Sequence, residues 1–127
     1  MAPEASFTKG MYGPFVVVFD PSGDLWAANV GNSTLVELTK AQLSISGSPT
    51  PAVTISSTKA GAAGSLWGPY GVAVDPSGDV WVSNFNKPTA VEFGGDQLAK
   101  AGSPTPLRTV AGPHTGMNWP SFVVTEP

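Results

Sequence analysis

The chain has 127 residues, with 6 basic and 9 acidic groups, 15 Gly, 13 Pro, 4 Trp and no Cys. That length suits one domain with a core that needs no covalent staples, and a composition 41% hydrophobic and 12% charged excludes disorder from want of apolar surface. A net charge of -3 leaves no basic footprint for nucleic acid or an anionic membrane, no apolar run approaches the ~20 residues that span a bilayer, and the lack of Cys excludes disulfides, thiolate nucleophiles and Cys-based zinc sites.

The predicted elements run as follows. Phe15 to Phe19 is a short, β-branched apolar run bounded by turn residues, which suits a strand buried on both faces. Asp20-Pro21-Ser22-Gly23-Asp24 then makes a tight hairpin: Pro presets φ, Asp caps the turn's amides and Gly takes the left-handed position. A second strand spans Leu25 to Asn29, and a loop of Val30-Gly31-Asn32-Ser33 leads to a third at Leu35 to Leu38. Thr39 to Leu43 can form one helical turn at most. Gly47-Ser48-Pro49-Thr50-Pro51 precedes a fourth strand at Ala52 to Ile55, an edge because Pro cannot donate to a ladder. The whole unit then recurs 55 positions on without insertion or deletion. Gly71 to Val74, Asp75-Pro76-Ser77-Gly78-Asp79, Val80 to Asn84, the loop Phe85-Asn86-Lys87-Pro88, Ala90 to Phe93 and Leu107 to Val110 repeat the same series. A third copy starts at Trp119 and runs for one strand, Ser121 to Thr125. The domain therefore divides into units at 12–55 and 67–110 and a partial strand at 119–125. Four antiparallel strands per unit, the outermost blunted, describe the blade of an all-β propeller.

The segment Gly-Pro-Tyr-Gly-Val-Ala-Val-Asp-Pro-Ser-Gly-Asp-Val-Trp-Val-Ser-Asn at 68–84 resembles an NHL repeat. It is also similar to blades of the virginiamycin B lyase and SMP-30/gluconolactonase-like propellers. The resemblance implies a propeller, usually of six blades. Propellers close with about 4–8 blades, whereas one chain supplies two. The flanks of such a pair are apolar, so self-association is expected: a trimer of six blades is favoured, with a tetramer or dimer the other counts that close. Ser121 to Thr125 would be a surplus first strand, and Ala5 to Thr8 a stand-in for part of a preceding fourth strand. Strand exchange, a disordered tail, or excision from a longer propeller would each account for them.

Several residues invite a chemical reading. The paired carboxylates Asp20/Asp24 and Asp75/Asp79 suggest calcium, but they lack the six to eight oxygens that ion takes, and a capped turn explains them. Glu37 and Glu92 are expected to be solvated or paired, and Trp26 and Trp81 to pack between blades. His114 is the only histidine and has no partners at triad spacing. The lyases that the chain resembles use histidines and an acidic residue around a metal, and the lactonases use Glu, Asn and Asp. Neither set maps onto this chain, so no catalytic, metal or cofactor site is assigned. The ligand-binding candidates are loop residues expected around one mouth of a propeller: Tyr12, Asn29, Asn32, Trp67, Asn84, Asn86, His114 and Trp119, with Phe85 and Lys87 beside them. Aromatic rings next to amides suit a small molecule, sugar or peptide. The competing reading wedges the aromatics between blades.

Three functions follow: a non-catalytic binding or assembly scaffold, a metal-dependent lyase or lactonase-like enzyme, and a structural fragment, natural or engineered. The enzyme is least favoured because no acid, base and metal-ligand set converges. The low-charge, Ser/Thr/Pro/Gly-rich composition is similar to that of secreted or cell-surface bacterial propellers, although Met1 to Ala5 carry no basic and apolar regions of an export signal.

Overall fold

A computed structural model describes residues 9–45, 47–112 and 115–117. The chain is all-β, with two four-stranded antiparallel sheets whose strands lie in sequence order. The first holds β1 (Pro14–Phe19), β2 (Leu25–Asn29), β3 (Thr34–Leu38) and β4 (Val53–Ser56). The second holds β5 (Pro69–Val74), β6 (Val80–Asn84), β7 (Thr89–Phe93) and β8 (Arg108–Val110). The expected strands fall within a residue or two of these, and their starts keep the 55-residue offset. The expected strands at 5–8 and 121–125 lie outside the described residues.

Both β1–β2 and β5–β6 turns close as their chemistry dictates. The Asp20 carboxylate accepts from the Ser22 and Asp24 amides at 2.9 and 3.0 Å, and Asp75 does the same for Ser77 and Asp79. Gly23 and Gly78 each sit at φ +86°, which a side chain would oppose. A helical turn, α1 (Lys40–Leu43), joins β3 to β4 and is capped by the Thr39 hydroxyl. In the second unit Gly94 stands where Thr39 stood, has no side chain to cap with, and the segment Gly95–Ala99 winds as a 3-10 turn instead.

The two sheets stack face to face. Alternation along the first sheet sends Trp26, Ala28, Leu35, Val53 and Ile55 to one side. There they form one core with Val72, Val80, Val82, Val91 and Phe93 of the second. Leu66 and Leu98 complete it from the connecting segments. The contact is head-to-tail: one face of the first unit meets the opposite face of the second. Trp26 joins this core as expected, whereas Trp81, on the outward face of the second sheet, is only half-buried and lies outside it.

The same arrangement packs β1 against β5 and leaves its opposite side, which carries Val17 and Phe19, uncovered. Val17 is 54% exposed, while Val72, its counterpart in β5, is 5% exposed beneath the first sheet. Phe19 is exposed in the same way. The wet strip on this flank is narrower than the repeat alone suggests, because Ala27, Val36 and Leu38 on the same face are buried. Leu35→Ala removes a fully buried side chain from the inter-sheet core and is expected to cost about 2–5 kcal/mol by urea unfolding.

Candidate functional site

The loops that precede β1 and β5 meet those that follow β2 and β6 at one end of the sheets, and the Asp-Pro-Ser-Gly turns lie at the other. At the loop end, the strand-terminal asparagines act as clamps. Asn29 is fully buried; its Oδ1 accepts from the Tyr12 amide at 3.0 Å, and its Nδ2 donates to the Gly10 carbonyl at 2.8 Å and Thr34 Oγ1 at 3.1 Å. Asn84 repeats the pattern with the Trp67 amide at 3.0 Å, and with the Ser65 carbonyl and Thr89 Oγ1, each at 2.9 Å. Both amides are saturated by the chain itself. They position the incoming loops and are withdrawn from the ligand-facing set, a correction that follows from their burial.

The other described candidates stay near the surface. Asn32 and Trp67 line one cleft of about 430 Å³ on the seam between the sheets, together with Ser33, Ser56 and Lys59. Ser33 Oγ also accepts from the Gly68 amide at 3.2 Å, tying the first unit's loop to the second unit's entrance. Tyr12 is exposed one unit away and does not join this cleft. Asn86 is exposed beside Gly68, where an added Cβ would strike its Nδ2 at 2.5 Å. Lys87 is spent on structure: its Nζ donates to the Ala62 carbonyl at 3.1 Å and to the Gly64 carbonyl, and burial lowers its pKa. His114 and Trp119 lie outside the described residues.

A row of rings crosses the edge formed by β1 and β5. Each first strand carries a bulge between Pro14 and Val16 or between Pro69 and Gly71, and the bulged residue is aromatic both times. Phe15 and Tyr70 stack with centroids 4.3 Å apart, and Phe85 follows Tyr70 at 5.4 Å. The aromatic repeat therefore includes packing between units at these positions.

At the opposite end, Asp20, Asp24 and Glu37 gather, as do Asp75, Asp79 and Glu92; in each group carboxylate oxygens lie within 4.8 Å of one another. Glu37 and Glu92 reach the turns because each pairs across the hairpin with a Trp, Trp26 or Trp81. The hairpin register, legible in the sequence, is the signal that joins Glu37 to the Asp turn. The Asp oxygens already cap the fold: Asp20 Oδ2 accepts from Trp26 Nε1 at 3.1 Å, Asp24 from the Lys40 amide at 2.7 Å, and Asp79 from the Gly95 amide at 3.0 Å. Glu92 is buried and paired with Arg108 at 3.5 Å. At the position of Arg108 the first unit has Val53, so Glu37 has no such cation opposite it. Burial first, then Asp24 and Asp20, push the Glu37 carboxyl up to about 7 from an ordinary 4.5. Glu92 is thus paired, as expected, while Glu37 is half-buried at an open cleft beside two other carboxylates.

Two predictions follow from these groups. Asn84→Leu orphans the Trp67 amide and the Ser65 carbonyl and should cost at least about 2 kcal/mol in urea, while Asn86→Ala stays within about 0.5 kcal/mol. For Glu37 the folded state holds a proton that the unfolded state releases between its ordinary 4.5 and about 7. Stability therefore falls as pH rises through that window and is flat beyond it. Glu37→Gln lacks this loss, so unfolding midpoints at about pH 4 and about pH 8 should differ less than in the parent chain, by an amount that salt and solvent screen.

No family model matches the sequence, and no curated protein matches it. Among solved structures, hydrazine synthase from Kuenenia stuttgartiensis is similar over 100% of this chain and 30% of that one, with a TM-score of 0.64 and 16% identity. The chain thus spans under a third of that protein's length, and at this identity the likeness is one of fold.

Proposed function

We propose that the chain is a two-blade segment of an NHL-like β-propeller that joins copies of itself into a closed ring and serves as a binding and assembly scaffold without catalysis of its own. The observation that carries this reading is the contrast between Val17, 54% exposed, and Val72, 5% exposed, at equivalent positions. What covers Val72 is the Trp26 face of the first unit. A second copy offers the equivalent Trp81 face to Val17 and Phe19, and burying each of these side chains is worth about 1.5–3 kcal/mol. Such a joint is head-to-tail, so it closes when the rotation per unit divides the circle. Three copies make six blades, the count that the resemblance favours.

In such a ring the cleft at Asn32, Lys59 and Trp67 sits between blades at the loop end. Its indole face, amide and hydroxyls suit a small molecule, sugar or peptide, held by stacking and hydrogen bonds.

Light scattering at micromolar concentration should give a multiple of the 13.0 kDa chain, three copies by preference, and Val17→Asp should reduce it to one. A well-folded single chain in the parent protein would overturn the reading.

A further inference from the structure

One backbone contact crosses between the sheets at their outer margin. Gly102, in the loop that follows the Gly95–Ala99 turn, forms an isolated parallel bridge with Ile55 of β4. Its N–H donates to the Thr54 carbonyl at 3.2 Å, and its carbonyl accepts from the Ser56 amide at 2.8 Å. Thr54 and Ser56 therefore turn these groups outward, away from β3. The first unit's edge strand is clasped by the second unit rather than left free.

Repeat symmetry places both halves of a second clasp on the molecule, at opposite flanks. The Thr109 carbonyl and the Ala111 amide stand where Thr54 and Ser56 stand, and Gly47 stands where Gly102 does. The residues around them are apolar and wet. Ile55 is fully buried, but its counterpart Val110 is 42% exposed, and Ile45, two residues before Gly47, is 73% exposed. A Cβ built on Gly47 would meet nothing within 4 Å, so its backbone is open to approach.

We propose that Gly47 of one copy clasps β8 of a second copy: its N–H donates to the Thr109 carbonyl and its carbonyl accepts from the Ala111 amide. The joint covers Val110 at the rim, as the internal clasp covers Ile55. The occupant of this edge is a second copy of the chain because the matching half, Gly47, belongs to the chain itself and lies on its other flank. The inference rests on the self-assembly reading above and names the contact that carries it.

Ala111→Pro deletes the donor and adds only the small pyrrolidine ring, and its demand for an extended preceding residue is met by Val110, the last residue of β8. Val110→Lys is the companion variant, with an intact backbone, and decides the matter should the proline variant not fold. Sedimentation across a concentration series is the measurement. Both folded variants should dissociate at concentrations at least about tenfold above the parent, a shift of about 1.4 kcal/mol. Their urea midpoints should equal the parent's where all are single chains. An assembled parent whose folded variants keep its association would overturn the clasp and leave the ring standing. A parent that never associates would overturn both.

Discussion

A four-stranded sheet with apolar residues on both faces must be covered twice, and this requirement organises the molecule. The first unit alternates its side chains so that neither face is a solvent face: Trp26 and Leu35 look one way, Val36 and Leu38 the other, and all four are buried. Stacking one unit on the next satisfies one face of each. The strength of the joint comes from the fit of a Trp26–Leu35–Ile55 surface against Val72, Val82 and Phe93. Among the described residues, hydrogen bonds tie the sheets at their periphery, at Ser33–Gly68 on the loop end and at Gly102 on the rim. Burial supplies the energy of the stack, and these bonds fix its register.

Duplication makes the departures between units informative. Val53 and Arg108 occupy the same place opposite Glu37 and Glu92. In the first unit that place lies inside the inter-sheet core and must be apolar, so Glu37 is left beside Asp20 and Asp24 with a raised proton affinity. In the second it lies on the outer flank, where an exposed arginine reaches the buried glutamate. The flank of the second sheet is accordingly more polar and less bulky than its internal counterpart, with Ser83 for Ala28 and Ala90 for Leu35. A joint formed there buries less apolar surface than the internal one, so association through it is weaker than the stack within a chain.

Much of the fold was legible because the repeat doubles every signal. The Asp-Pro-Ser-Gly-Asp turns and the eight strands each follow from local chemistry seen twice, and the helical turn from Thr39 to Leu43 from chemistry seen once. Gln42 recurs as Gln97, and in the structure each side chain donates to the lead into the fourth strand of its unit, at the Thr50 carbonyl 2.8 Å away and the Thr105 carbonyl 2.6 Å away. The loop set was harder to read. An asparagine at a strand end next to an aromatic loop looks the same in sequence whether its amide faces solvent or the incoming backbone. Only the fold shows that Asn29 and Asn84 are clamps while Asn32 reaches a cleft. Glu37 escaped for a related reason, since its missing cation is a residue of the fourth strand, 16 positions further on.

The central claim is that two stacked sheets with a bare first strand are part of a circle made from copies of one chain. Single-particle electron microscopy of the purified chain counts blades directly. The account predicts closed, channelled particles with an even number of blades, six most prominent. A uniform population of solitary two-sheet bodies would contradict it.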